Sequence, residues 1–272
     1  MHITFGLFVN YRTRVVRRVA RALARLRIIH FHHGALKRAE TTGFPEGNVL
    51  IVAPHPDDEV FACGGLIAYK INAGEKVDVL FMTKGEMSYE TENHSIVSQI
   101  SETRFKTAYQ ALRLLGVDER NIHWFNYKDK GIPDESASDF SRCAQAIADK
   151  ILELGPDLLF VPHLHDFHQD HINTNKLVTE AYKNNPSLRC VAVYCYSVYM
   201  LYNLLLKDVF RRHDGELKKI DISEQIDMKK EAIRAYMMPK IKINGQEMSA
   251  AGNLSSAFMS NFEKPYELYF KL

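Results

Sequence analysis

The sequence has few cysteines and no long apolar segment. Its four cysteines are scattered, with none in a C-x-x-C pair, which argues against a disulfide scaffold and favours a reducing, cytoplasmic environment. The longest stretch without a charged residue, 190–206, has 17 residues, whereas a membrane-spanning helix needs about 20 mostly apolar ones. A complete G-x-G-x-x-G motif is also missing, so dinucleotide binding is not indicated. We expect a globular protein that is cytoplasmic or at most peripheral to a membrane.

Acidic residues are absent from the first 39 positions, which carry nine Lys or Arg. Within residues 12–29, apolar side chains recur at helical spacing with arginines on the other face, which predicts a basic amphipathic helix in a segment 1–40. Such a helix can lie on an anionic membrane or pack on the core, and the sequence leaves both open. The rest of the chain holds all 33 acidic residues against 26 of the 35 basic ones, so we expect no nucleic-acid partner.

From residue 48 onward, short apolar runs alternate with segments of helical period. The runs predict strands at 49–53, 76–82, 122–126, 157–161 and 190–196. The intervening segments predict helices at 60–73, 95–115, 140–154 and 173–183. This alternation is typical of a parallel sheet covered on both faces. We therefore predict one α/β domain over 41–272, a Rossmann-like three-layer sandwich with a mostly parallel sheet, and a ligand site beyond the carboxyl ends of its strands.

Two clusters of histidine and acidic residues follow predicted strands. His55-Pro56-Asp57-Asp58-Glu59 comes after the first strand, and Asp166-Phe167-His168-Gln169-Asp170-His171 after the fourth. Imidazole and carboxylate ligands without cysteine suit a catalytic Zn²⁺, which lowers the pKa of its bound water to about 7. A carboxylate off the metal can take that water's proton, and Asp57 and Asp58 can divide the ligand and base roles. The clusters predict amide hydrolysis; a helix cap alone would explain only the first of them.

Four segments carry a resemblance to a known family. They are Ala53-Pro54-His55-Pro56-Asp57-Asp58-Glu59 with Gly64-Gly65, Thr83-Lys84-Gly85-Glu86, Arg104 with Leu115-Gly116, and 166–171. Together they resemble the PIG-L/LmbE-like family of zinc-dependent de-N-acetylases, from about residue 48 to residue 196. The resemblance implies a Rossmann-like α/β fold. It also implies removal of acetyl groups from N-acetylglucosamine units or related compounds.

The resemblance implies a set of metal ligands. His55, Asp58 and His171 would bind Zn²⁺, with another divalent ion such as Fe²⁺ as the alternative.

It also implies roles for four further residues. Asp57 would be the general base, and His168 would either stabilise the tetrahedral intermediate or protonate the departing amine. Asp170 would hold and polarise His168 through a carboxylate–histidine contact, and Arg104 would contact substrate.

The implied substrate is an N-acetylated amino sugar, and the basic leader suggests that it is attached to a lipid or a polysaccharide. An amidase acting on a thiol conjugate is the rival enzyme, and a glycan- or lipid-binding protein with a vestigial site is the rival outside catalysis. The sequence departs from the family pattern at Thr107 and at Tyr236-Met237-Met238-Pro239, where many relatives have an acid and a Ser-Gln pair. These departures bear on substrate identity and leave the chemistry intact.

Overall fold

An eight-stranded, mostly parallel sheet forms the centre of the part of the chain that the structure describes. The structure is a computed structural model, and it describes residues 39–199 and 216–272. The predicted amphipathic helix at 12–29 lies outside these residues, so it and its membrane contact stay predictions of the sequence. Among the described residues, no helix is both long enough and apolar enough to cross a bilayer.

The strands alternate with helices along the chain, as predicted. The strands are β1 Glu40–Thr42, β2 Val49–Ala53, β3 Val77–Thr83, β4 Ile122–Tyr127, β5 Leu158–Pro162, β6 Ala192–Tyr196, β7 Glu216–Asp221, β8 Lys240–Ile243, β9 Gln246–Ser249 and β10 Tyr266–Lys271. The helices are α1 Asp58–Asn72, α2 His94–Leu114, α3 Phe140–Leu154, α4 Gln169–Asn184, α5 Ile226–Met237 and the short α6 Ser256–Met259. Two 3-10 turns lie at Glu119–Asn121 and Pro186–Cys190.

The strand order of the main sheet is β1-β7-β10-β6-β5-β2-β3-β4, and β8 and β9 form a separate hairpin. All pairs in the main sheet are parallel except those of β10, which runs antiparallel to β6 and β7. The direction of chain progression reverses between β2 and β5. This reversal is the switch point at which doubly wound sheets bind ligands.

Both faces of the sheet are buried, which explains why the central strands read as continuous apolar runs. In β2, Val49, Ile51 and Ala53 belong to one core cluster, while Leu50 and Val52 belong to the other. Helix α5 packs against both α1 and α2, and α3 packs with α4. The predicted Rossmann-like α/β architecture is therefore confirmed.

The sequence did not predict β1, β7 or the place of β10 within the main sheet. β7 reads Glu-Leu-Lys-Lys-Ile-Asp, and most of it is only partly buried, so it lacks the apolar signal of the central strands. β1 has three residues and pairs with β7 at the sheet edge. Peripheral strands bury one face incompletely, which weakens their signal in the sequence.

Candidate metal and catalytic site

The fold brings the two predicted clusters together at the switch point. The first cluster follows β2 and begins α1, and the second follows β5 and begins α4. Because β2 and β5 are parallel neighbours, their carboxyl ends open onto the same edge of the sheet. Residues 55–59 therefore meet residues 166–171 although more than a hundred positions separate them in sequence.

Asp58 lies between the two imidazoles that the sequence predicts as its partners. Its Oδ2 is 3.3 Å from His55 Nδ1 and 3.2 Å from His171 Nε2. All three side chains are buried. Burial alone would raise the pKa of Asp58, but the neighbouring imidazoles of His171 and His55 hold it well below its usual range. Asp58 is therefore a carboxylate with two imidazoles at one oxygen.

The surroundings of His171 test whether a cation fits here. Its Nδ1 lies 2.8 Å from Asp166 Oδ2, so we assign the ring proton to Nδ1. Nε2 is then left buried, without a hydrogen-bond partner, facing the Asp58 carboxylate. Burial would lower the pKa of His171, yet Asp58 and Asp166 raise it to about 9. The contact between Nε2 and a carboxylate oxygen requires a positive charge, which the high pKa of His171 supplies as a second ring proton and which a metal ion would supply by replacing that proton.

Asp166 is the outer partner of this arrangement, and we assigned it no role from the sequence. Its carboxylate also accepts hydrogen bonds from the backbone N–H groups of Val198 and Tyr199, at 3.0 and 2.7 Å. These bonds anchor the loop after β5 to the chain after β6. Histidine ligands of metals typically donate their second N–H to such a carboxylate. The signal was in the motif, since Asp166 stands five residues before His171.

His168 lies beside the two other histidines. Its ring centroid is 4.7 Å from that of His55 and 5.3 Å from that of His171, and nitrogens of the three rings lie within 4.8 Å of one another. Its Nδ1 caps α4 by accepting the backbone N–H of Asp170 at 3.3 Å. Burial, together with the charges of His55 and His171, lowers the pKa of His168 to about 4. His168 is therefore a neutral imidazole at neutral pH.

The carboxylate of Asp170 contacts His55, whereas we expected it to hold His168. Its Oδ2 lies 3.1 Å from His55 Nε2 and accepts the backbone N–H of Lys130 at 2.8 Å. Asp129 Oδ1 lies 3.3 Å from the same His55 nitrogen. Burial would lower the pKa of His55, but the hydrogen bonds to Asp129, Asp170 and Asp58 raise it well above its usual value. Asp170 lies in the first turn of α4, where its backbone N–H donates to His168. Its side chain contacts His55, which follows β2.

Asp57, the predicted base, combines a strained backbone with a buried carboxyl group. Its φ is 121°, a region that residues other than glycine seldom adopt. One carboxylate oxygen, Oδ2, is 3.2 Å from Arg104 Nη2. Burial raises the pKa of Asp57 from 3.8 to about 7, although the charge of Arg104 opposes the shift. The carboxyl group is thus poised to exchange a proton near neutral pH.

Arg104 holds the turn that carries Asp57. Its Nη2 also donates to the backbone carbonyl of Pro56 at 2.5 Å. Gly85 leaves room for the guanidinium group, since a Cβ at this position would lie 2.5 Å from Arg104 Nε. The φ of Gly85 is +64°. The Thr83 hydroxyl donates to the carbonyl of Pro54 and accepts the N–H of Gly85. The Thr-x-Gly-Glu segment therefore supports Arg104, whose predicted contact with substrate stays a prediction.

A cavity of about 280 Å³ opens over these groups. Four of the predicted site residues line it, together with loop residues from elsewhere in the chain: His55, Asp57, Arg104, His168, and also Asp129, Lys130, Tyr199 and 251–254. The two residues before loop 251–254 are tied to residues 88 and 89, because the hydroxyl of Ser88 donates to the carbonyl of Ala250 and that of Tyr89 to the carbonyl of Ser249. The late part of the chain thus builds one wall of the cavity.

Asp129 and Tyr199, like Asp166, were not among the site residues predicted from the sequence. Asp129 follows the end of β4, so its position after a strand was an available signal. Tyr199 packs against His168 and His171, with ring centroids 6.1 and 5.5 Å away. Nothing in its local pattern distinguishes it from the other tyrosines of its segment, because its place depends on how the chain leaves β6.

The described residues thus form a doubly wound α/β sheet with a histidine–aspartate site at its switch point. Residues 50–182 match the family model described as PIG-L: GlcNAc-PI de-N-acetylase. Residues 50–182 therefore belong to this family. The match covers both clusters and ends within α4, so β6 to β10 and α5 lie outside it.

Two curated relatives match this chain over different shares of their length. The probable N-acetyl-alpha-D-glucosaminyl L-malate deacetylase 2 of Bacillus anthracis is 27% identical over 199 residues, which cover 70% of this chain and 80% of the relative. The 1D-myo-inositol 2-acetamido-2-deoxy-alpha-D-glucopyranoside deacetylase of Mycobacterium sp. (strain KMS) is 28% identical over 154 residues. That match covers 49% of each chain, so this protein spans about half of the mycobacterial relative.

A solved structure shares the fold. The N,N'-diacetylchitobiose deacetylase of Pyrococcus horikoshii superposes with a TM-score of 0.55 over 71% of this chain and 70% of its own. Its sequence identity is 24%, so this likeness concerns the architecture.

Proposed function

We propose that the protein is a metal-dependent hydrolase that removes the acetyl group from an N-acetylglucosamine-type sugar. One observation carries this proposal. The Nε2 of His171 is buried without a hydrogen-bond partner and faces the Asp58 carboxylate, and the neighbouring Asp57 has a raised pKa. The two curated relatives act, by their names, on N-acetylglucosaminyl malate and on an acetamido sugar of inositol. The aglycone differs between them, so the shared feature that we transfer is the N-acetylated sugar.

We assign His55, Asp58 and His171 as the metal ligands, and Zn²⁺ as the metal. Nitrogen and carboxylate donors without a thiolate suit zinc, and three protein ligands leave a position open. A zinc ion held there would polarise a water molecule and the amide carbonyl. Asp166 fixes the His171 ring through Nδ1, and Asp129 and Asp170 do the same for His55 through Nε2.

Asp57 acts as the general base in this proposal. Arg104 binds its Oδ2, while no hydrogen bond from the described residues reaches Oδ1, and the side chain borders the cavity. The carboxylate takes the proton of the attacking water, and the resulting acid can then deliver that proton to the departing nitrogen. The bond from water oxygen to the acyl carbon forms, the C–N bond breaks, and acetate and a free amine leave.

His168 serves as a hydrogen-bond donor to the oxyanion. The sequence left two roles open for it, oxyanion stabilisation and protonation of the amine. Its Nδ1 accepts the N–H of Asp170, and its lowered pKa keeps the ring neutral, which leaves the ring proton on Nε2. A neutral imidazole can donate this proton in a hydrogen bond but is a poor acid at neutral pH.

Acetate release from a panel of N-acetyl sugars, a thiol conjugate and simple amides tests the proposal. We expect release from the N-acetylglucosamine derivatives, with kcat reduced about 10²- to 10⁴-fold in Asp57→Asn. The bound-zinc stoichiometry of Asp57→Asn should equal that of the unaltered protein, because Asp57 is not a ligand. Release only from the thiol conjugate would identify an amidase of another class, and binding of sugar without any release would reject catalysis.

A further inference from the structure

We infer that Tyr236 is a positioning residue for Asp57 and that it acts through Glu59. The inference rests on the proposed function, in which Asp57 is the base. Tyr236 lies on α5, outside the segment that matches the family model, and at a position where the sequence departs from the family pattern. Neither Tyr236 nor Glu59 borders the cavity, so neither is assigned a contact with substrate.

Two hydrogen bonds link the three residues. The Tyr236 hydroxyl donates to Glu59 Oε1 at 2.5 Å, and the backbone N–H of Asp57 donates to Glu59 Oε2 at 2.9 Å. The Tyr236 side chain is 1% exposed and Glu59 is 0% exposed, so no solvent competes for these bonds. Each oxygen of the Glu59 carboxyl group therefore has a fixed partner, one on α5 and one in the turn that carries Asp57.

The turn needs such a partner because its backbone is strained. Asp57 has φ 121° and ψ −30°, and a residue other than glycine persists in such a conformation only where its surroundings impose it. Arg104 restrains the carboxylate of Asp57 and the carbonyl of Pro56. Glu59 is the restraint on the backbone N–H of Asp57, and Tyr236 fixes the rotamer of Glu59. The hydroxyl of Tyr236 thus helps to set where the base points.

A second buried tyrosine supplies a matched control. Tyr269, on β10, is also fully buried, and its hydroxyl lies 2.5 Å from Glu267 Oε2 and 3.2 Å from the carbonyl oxygen of Ala62. Glu267 in turn accepts the N–H groups of Gly65 and Leu66, further along α1. Tyr269→Phe therefore removes a buried hydroxyl from the buried carboxylate of Glu267, which binds α1 at Gly65 and Leu66, without touching the Asp57 turn.

The first test is residue-resolved amide hydrogen exchange on the full chain, which needs no substrate. In Tyr236→Phe we expect the Asp57 amide to exchange about tenfold faster or more, because the lost bond frees Glu59. In Tyr269→Phe we expect the Asp57 amide to exchange at the unaltered rate. Thermal unfolding of both variants shows that each is folded at the temperature of the measurement. Equal Asp57 exchange in the two variants would overturn the link between Tyr236 and Asp57.

The second test is steady-state kinetics on the best acetyl sugar. We expect Tyr236→Phe to lower kcat about 10- to 100-fold with KM nearly unchanged, since a small misplacement of a catalytic group is costly. Tyr269→Phe should keep kcat within about twofold of the unaltered protein. An equal kcat in the two variants would overturn the positioning role. Absence of acetate release from the unaltered protein would instead refute the proposed function, and hydrogen exchange would still decide whether Tyr236 holds the Asp57 turn.

Discussion

At the scale of single residues, the site depends on how buried charges neutralise one another. Asp57, Asp58, Asp129 and Asp170 are all buried around His55. Each would be costly to bury alone; contacts with His55 offset that cost for Asp58, Asp129 and Asp170, and Arg104 offsets it for Asp57. Three carboxylates thus face one imidazole, which explains why the pKa of His55 is raised.

The pH dependence of activity should report on Asp57. Its pKa is raised to about 7, and only the carboxylate form can take a proton. We therefore expect kcat/KM to rise about tenfold per pH unit below pH 7 and to level off above it.

Arg104 lowers the pKa of Asp57, so removing its charge should raise that pKa further. In Arg104→Gln the rising limb of the profile should move about one pH unit to higher pH. Arg104→Lys keeps the charge and serves as the control, with a smaller displacement. A rising limb that stays in place in Arg104→Gln would show that another group controls it.

At the scale of elements, helix α1 carries the ligands at its beginning and is held closely by the late part of the chain. A Cβ on Gly65 would lie 2.5 Å from Ile222 Cγ2, and one on Gly64 would lie 2.9 Å from Lys229 Cγ. These glycines therefore allow close packing against Ile222 and Lys229. Glu267 from β10 binds the amides of Gly65 and Leu66 and pairs with Lys229 at 2.6 Å. The C-terminal segments thus fix the position of α1.

Gly65→Ala tests this close approach. Alanine favours a helix by about 1 kcal/mol relative to glycine. The clash of the added Cβ with Ile222 destabilises the folded state, and overpacking of this kind costs about 1–3 kcal/mol. We therefore expect a net decrease in the free energy of unfolding. Urea unfolding measures it. Gly43→Ala is the control, since a Cβ there would have no neighbour within 4 Å. An unchanged midpoint for Gly65→Ala would contradict the packing described.

At the scale of the whole molecule, metal binding should stabilise the fold because its ligands come from both halves of the sheet. His55 and Asp58 follow β2, and His171 follows β5. A ligand that binds only the folded state adds about 4 kcal/mol at a thousandfold excess over its Kd. For a chain of this size that corresponds to a rise of about 8–16 °C in Tm.

Removal of metal by a chelator should therefore lower Tm, and added Zn²⁺ should restore it. The same measurement separates the two candidates for the third ligand, since both Asp58 and His168 lie close to His55 and His171. With Asp58 as the ligand, Asp58→Ala loses the zinc-dependent rise in Tm and His168→Ala keeps it. The reverse result would exchange their roles.

The amino-acid sequence by itself determined the central strands of the sheet and the two histidine–aspartate clusters that follow β2 and β5. Strands buried on both faces leave continuous apolar runs, so β2 to β6 were predictable, and residues that follow strands β2 and β5 had to meet at the switch point. The helix α3 was predicted with the bounds that the structure has, Phe140–Leu154.

Only the tertiary structure decided the partners within the site. The carboxylate of Asp170 contacts His55 while its backbone N–H binds His168, Asp166 orients His171, and Tyr236 reaches Glu59 across 177 positions. Hydrogen bonds form only within narrow ranges of distance and angle, and packing between distant segments sets those distances and angles. The spacing of residues in the sequence therefore does not predict them. The sequence specified that residues 55–59 and 166–171 come together, and the packing of α5 and β10 on α1 determined which atoms face one another.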